Sequence, residues 1–257
     1  MVNNDYYGLK HATTYLEIYS QPNETDDRIV HRQLCDQEAY DIWHLSYYFK
    51  EILKYRRLMK RSDLRCEHIP RKEKNLLLYL IFSCEPRLSS LTEIGSSFFE
   101  CIDGMEIVDV YLKRIISPVS RFDLKKLSYI GIEISEMLRE ASQVLHPSYN
   151  VTVYGEMADI ENDFEVMYDR SVMNYMCESA DEVASIMNRS EVTLTNTFFS
   201  KDETFESARL GKSLHYFSLR EVLNKINKPL FHLFGEKAPG PASGQDLSRG
   251  RPVVEGF

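Results

Sequence analysis

From Leu88 onward, short apolar runs alternate with stretches of helical period. Ser89–Ile94, Leu127–Ile134, Asn150–Tyr154, Phe164–Tyr168 and Glu191–Phe199 are compact and rich in β-branched or aromatic residues, and each reads as a strand. Phe99–Ile116, Glu136–Leu145 and Ala180–Met187 between them read as helices, with Gly104 a modest propensity cost inside the first. Ser135 is placed to cap the second helix, and Pro147 follows its end. Ser218-Leu219-Arg220-Glu221 has capping-box spacing and starts a helix to about Ile226. Pro229–Phe234 reads as a sixth strand. The Gly/Pro/Ser-rich stretch Gly235–Gly250 is a loop, and Arg251–Phe257 can return as a last strand. The alternation predicts an α/β fold: a doubly wound, mostly parallel sheet covered on both faces. The final two strands are joined without a helix, so the sheet should end in an antiparallel hairpin.

The first 85 residues have a different rhythm. Within Glu38–Met59, Tyr40, Trp43, His44, Tyr47, Tyr48, Ile52 and Tyr55 recur at helical spacing. Lys74–Phe82 reads as a second helix. The expected organisation is a helical N-terminal cap over residues 1–85 and an α/β domain over residues 86–257.

Composition narrows the class. A length of 257 residues suits one large domain or two small ones, and 43% hydrophobic residues suffice for a core. The formal charge of −8 argues against a nucleic-acid binder that works by bulk electrostatics. A basic run, Lys54, Arg56, Arg57, Lys60, Arg61, Arg65, Arg71, Lys72 and Lys74, reads as the solvated face of helices. Cys35, Cys66, Cys84, Cys101 and Cys177 show no metal-ligand or redox spacing. Asn196, on strand five, lacks a neighbouring acid, and no metal is expected. The polar start of the chain and the shortness of its longest apolar run, Leu76–Phe82, lead to the expectation of a cytoplasmic protein with no membrane span.

The candidate chemistry sits at strand ends. Glu93-Ile94-Gly95 ends the first strand, and Glu133 stands at the end of the second. Strand, acid-x-Gly turn, helix, strand, acid is the front half of a nucleotide-binding α/β unit. Both acids then lie at the carboxyl edge of adjacent parallel strands, where open α/β sheets bind ligands.

Together these features resemble the class I S-adenosylmethionine-dependent methyltransferases over about Leu88–Phe257. Leu91-Thr92-Glu93-Ile94-Gly95-Ser96-Ser97-Phe98-Phe99 resembles the family's first motif, an acid-x-Gly-x-Gly-x-Gly turn, with Ser97 and Phe99 where the second and third glycines belong. Tyr129–Ser135 resembles the second motif, Gly155-Glu156 falls where the family often has Gly-Asp, and Phe164–Arg170 resembles the fourth strand. The resemblance implies S-adenosylmethionine as cofactor. It implies Glu93 near the methionyl ammonium, with Gly95, Ser96, Ser97 and Phe98 turning beneath the ligand. It also implies Glu133 and Ile134 at the ribose, and Glu156 and Met157 at the adenine.

The implied reaction is methyl transfer to an oxygen or nitrogen of a small molecule. His215 and Asp169 are the candidate bases for an oxygen nucleophile. Trp43, Tyr47 and Tyr48 of the cap, Arg170 after strand four, Tyr216, and Arg249 and Arg251 at the loop exit are the candidate acceptor contacts. Two rivals stand beside this reading. One is a non-catalytic binding protein on the same fold, suggested by Ser97 and Phe99. The other is a nicotinamide-dependent oxidoreductase, against which the missing Gly-x-Gly-x-x-Gly counts. The expected partner is a small-molecule acceptor, and a homo-oligomer is compatible with the chain.

Overall fold

The computed structural model describes residues 37–116, 123–170, 172–195, 197, 199–200, 203–209 and 212–227. Among these residues two helices come first, α1 (Gln37–Met59) and α2 (Lys72–Cys84). The α/β part follows as β1 (Ser90–Ile94), α3 (Glu100–Ile115), β2 (Ser128–Ile132), α4 (Glu136–Leu145), β3 (Asn150–Tyr154) and β4 (Phe164–Asp169). It continues as α5 (Met173–Met176), α6 (Ala180–Asn188), β5 (Ser190–Thr195), β6 (Phe199–Ser200), β7 (Phe205–Arg209), β8 (Lys212–Ser218) and α7 (Leu219–Lys225).

Five strands form one sheet in the order β3-β2-β1-β4-β5, and every pairing in it is parallel. The chain moves outward from β1 through β2 to β3, then crosses back to β4. The order therefore reverses beside β1, and the carboxyl ends of β1 and β4 flank that switch point, where such sheets place ligands. The β1 sequence Ser-Leu-Thr-Glu-Ile is buried almost throughout, as a central strand covered on both faces requires.

One core lies between the sheet and α1–α3. It joins Tyr55, Leu78 and Phe82 to Leu91, Val166 and Tyr168. The other face is covered by α5–α7, with Ile94, Met167, Met173, Val183 and Val222 in a second core. The helices of the first 85 residues thus share their core with the sheet. Inside α3, Gly104 faces α2 so closely that a methyl group there would overlap the side-chain amide of Asn75. Serine caps start α4, α6 and α7: Leu138 N donates to Ser135 Oγ, Glu182 N to Ser179 Oγ and Glu221 N to Ser218 Oγ.

One expectation needs correcting. The expected strand Glu191–Phe199 stops at Thr195, because Thr197 N turns back to donate to Thr195 Oγ1 and both hydroxyls are drawn to Asp169. The described antiparallel hairpin is β7–β8, with Arg209 opposite Lys212. It belongs to a second, three-stranded sheet of order β6-β8-β7. The hairpin expected at Pro229–Phe234 and Arg251–Phe257 lies outside the described residues. No helix among the described residues is long and apolar enough to cross a membrane.

Candidate functional site

The turn from β1 into α3 has an unusual backbone. Gly95, Ser97 and Phe99 have φ of 70°, 47° and 53°. These alternate positions are the three that the resembled motif fills with glycine. The turn therefore keeps a glycine-type path although two of its three special positions carry side chains. Neighbouring groups hold it there. Gly95 N and Ser96 N donate to Ile132 O at 2.9 and 3.2 Å. Ser142 Oγ donates to Ser97 O at 2.6 Å, and His146 Nε2 lies 2.7 Å from Phe98 O. Ser97 Oγ and His44 Nδ1 are hydrogen-bonded at 3.1 Å, which ties α1 to the turn. Burial, with Arg170 nearby, pushes the His44 imidazole well below its ordinary pKa, so it is neutral.

Glu133 follows β2 and is 2% exposed. Its Oε2 accepts from Ser97 N at 3.0 Å and its Oε1 from Ser135 N at 3.1 Å. Through these two bonds the carboxylate anchors the turn to the end of β2. Ile134 is exposed beside it.

Glu93 points to the α1–α3 face and is fully buried. Cys101 Sγ donates to its Oε2 at 3.0 Å. Its Oε1 has no hydrogen-bond partner and lies 3.4 Å from Arg170 Nη1. Burial pushes the Glu93 carboxyl above its ordinary pKa, against the pull of Arg170 and Lys74. Next to it is Glu100, which accepts from Tyr55 OH at 3.0 Å and from Arg71 Nη1 at 2.5 Å. Burial pushes Glu100 up as well, but Lys74, Arg170 and Arg71 outweigh it and hold that carboxyl low. Lys74 Nζ lies 5.0 Å over the ring of Tyr168. Two acids and three cations thus share one interior cluster below α1 and α2. The basic run does not lie wholly on a solvated face: Arg71 and Lys74 turn inward to these acids.

Arg170 is also turned inward. Its side chain is 8% exposed and rests 4.4 Å over the Tyr48 ring, which stacks on His44. The arginine expected to contact the acceptor is thus buried among α1 and the strand-end acids. Asp169 points to the opposite face of β4, where Val172 N, Met173 N, Thr195 Oγ1 and Thr197 Oγ1 all donate to it. Two donors reach each oxygen, and together they hold the β4–α5 turn to β5. Burial is the largest influence on its carboxyl and raises its pKa.

The remaining candidates are spread more widely. Glu156 is exposed after β3, with Met157 half-buried beside it. His215 lies on β8 and stacks on Phe217, while Tyr216 is buried. Ser96 and Phe98 are buried within the turn. Trp43 and Tyr47 lie on α1, but their side chains, like Arg249 and Arg251, lie outside the described residues. Sequence reading missed His44, Arg71, Lys74 and Glu100 as members of the site. The available signal was the placement of three basic residues, Arg71, Lys72 and Lys74, at the start of a helix that becomes apolar from Leu76. Among the described residues there is no group of three metal-ligating side chains.

No family model matches the chain, and no curated protein matches it in sequence. Among solved structures it is similar to DesVI of Streptomyces venezuelae, at 16% identity over 52% of this chain and 56% of that one, with a TM-score of 0.33. It is similar to an S-adenosylmethionine-dependent methyltransferase from Clostridium acetobutylicum at 9% identity, over 52% of this chain and 56% of that one, with a TM-score of 0.33. A third, an S-adenosylmethionine-dependent methyltransferase from Mesorhizobium loti, is 11% identical over 58% of this chain and 77% of that one, with a TM-score of 0.38. The chain spans little more than half the length of the first and second of these. The likenesses are distant, and it is the strand order and the turn after β1 that define this chain's fold and its candidate site.

Proposed function

We propose that this chain binds S-adenosylmethionine at the carboxyl edge of β1 and β2 and transfers its methyl group to an oxygen or nitrogen of a small molecule. The observation that carries the reading is the run of positive φ at Gly95, Ser97 and Phe99, set between the strand-end acids Glu93 and Glu133. The residues fit the cofactor. Glu93 Oε1 is a buried acceptor without a hydrogen bond, suited to an ammonium group. Glu133, buried at the end of β2, is the proposed partner of the ribose diol, and the exposed Glu156 after β3 is the proposed partner of the adenine. When bound, the cofactor supplies a methyl group already activated on a sulfonium. The protein's part is to align the acceptor with it and exclude water. His215, half-buried on β8, is the proposed base for an oxygen acceptor.

The second reading, a non-catalytic binding protein, is favoured by the Glu93–Arg170 pair, which fills with a side chain the place where the ligand's ammonium belongs. Calorimetric titration with S-adenosylmethionine, S-adenosylhomocysteine and NAD tests the proposal. Binding of the first two and not of NAD is the expected result. Binding of NAD alone would move the chain to the oxidoreductases, and binding of none would remove the cofactor assignment.

A further inference from the structure

Arg170 is held by charge and by an aromatic face more than by directional bonds. Its Nη1 lies 3.4 Å from Glu93 Oε1 and its Nη2 lies 3.5 Å from Glu100 Oε2. Nη1 and Glu93 Oε1 are both buried without a hydrogen bond. The guanidinium carbon sits 4.4 Å over the Tyr48 ring. Ion pairs of this length can exchange one cation for another, because little hydrogen-bond geometry is lost. Glu100 would not be stranded by such an exchange, since Arg71 Nη1 and Tyr55 OH also donate to it. Glu93 would keep the pull of Lys74 but lose the cation that lies against its Oε1.

We propose that Arg170 is an internal competitor for the cofactor: its guanidinium fills the cation slot before Glu93 and must leave before the ammonium of the cofactor's amino-acid tail can enter. The inference rests on the S-adenosylmethionine reading above. The guanidinium occupies the side of Glu93 Oε1, the one carboxylate oxygen of this residue that accepts no hydrogen bond, and the ammonium would take that same position. Apparent affinity is then reduced by the fraction of molecules in which the slot is closed. The exchange also reaches α1. Tyr48 loses the nearer of two guanidinium groups when Arg170 leaves and keeps Arg71 at 5.9 Å, while His44 keeps α1 on the turn through Ser97. Ligand entry would therefore loosen one of the contacts that hold this part of α1 over the turn.

The test compares wild type with Arg170→Met, which keeps bulk and removes charge. Tyr48→Leu is the second variant; it removes the ring beneath the guanidinium and leaves every charge in place. Each is first checked for a native circular-dichroism spectrum and then titrated with S-adenosylmethionine and with 5′-methylthioadenosine, which lacks the amino-acid tail. Arg170→Met should bind S-adenosylmethionine about tenfold or more tightly, as release of a mostly closed slot requires, with methylthioadenosine unchanged. Tyr48→Leu should shift in the same direction by less, and it decides the matter if Arg170→Met does not fold. Equal S-adenosylmethionine affinity in wild type and the folded variants would overturn the competitor and leave the cofactor assignment standing. Equal tightening for both nucleosides would also overturn it, by showing a general loosening. If no form binds either compound, the cofactor assignment fails and the competitor falls with it.

Discussion

A left-handed φ at a residue with a side chain costs roughly 1–2 kcal/mol, and the turn after β1 carries two such residues. Ser97 offsets part of this through its bond to His44. Ser97→Ala keeps the strain and loses that bond, so it should destabilise by about 1 kcal/mol. Ser97→Gly loses the bond and relieves the strain, and should come out near neutral in urea unfolding, about 1 kcal/mol better than alanine. If glycine and alanine cost the same, the backbone at this position is not strained. Two residues nearby carry a pH signature. Burial lowers the pKa of His146 to about 4 and raises that of Asp103 to about 6. His146 lies below its ordinary value, so its contribution is present above pH 6.5 and is lost as pH falls through about 4. Asp103 lies above its ordinary value, so its contribution runs the other way, present at low pH and lost as pH rises through about 6. The two nearly cancel. His146→Gln removes one arm, so its stability deficit should be largest above pH 6.5 and shrink by about 1–3 kcal/mol towards pH 4. A deficit independent of pH would show that the imidazole does not stay neutral on folding. Glu93 and Glu133 were legible in the sequence because strand-end acids follow from period alone. The inward turn of Arg71, Lys74 and Arg170 was not, because a long cation reads the same whether its charge is solvated or paired across the fold.

At the scale of elements, the sheet was legible and the second sheet was not. Parallel strands buried on both faces are continuous apolar runs, and serine caps mark where helices begin; β1, β3 and α4 therefore fell close to their expected bounds. The β7–β8 hairpin was missed because its strands are largely polar, with Leu210-Gly211 between them as the one turn signal. The division into a cap and an α/β domain also depends on elements. Tyr55 of α1 donates to Glu100 of α3 and accepts from Asn75 of α2 at 3.0 Å, which links three helices through one hydroxyl. Tyr55→Phe should cost about 1–3 kcal/mol, because it leaves a buried carboxylate and a buried amide each short of a partner. Leu78→Ala, at a fully buried position of α2, should cost about 2–5 kcal/mol. Both losses should appear in the same unfolding transition that reports on the sheet. Separate transitions for helix and sheet probes would mean that α1 and α2 are a detachable cap.

For the whole molecule, the shared core makes a strong prediction about truncation. Removing residues 1–85 uncovers Leu91, Val166 and Tyr168 on one face of the sheet and takes away three of the groups that surround Glu100. The expected product is an aggregated or unfolded chain, measured by circular dichroism and light scattering. A folded, monomeric remnant would show that the sheet needs only α3 and α4 on that side. Gly104 adds a practical consequence. Anyone raising the thermal tolerance of this protein by replacing weak helix formers would choose it early, since alanine in a helix interior gains roughly 1 kcal/mol over glycine. Here the added methyl would enter the side-chain amide of Asn75 and push α2 away from α3. Asn75 would lose its reach to Tyr55, and the cations gathered around Glu100 would lose their frame. The weakest helix former in α3 is the one that sets the spacing of the charged interior, and a propensity-guided consensus would remove it.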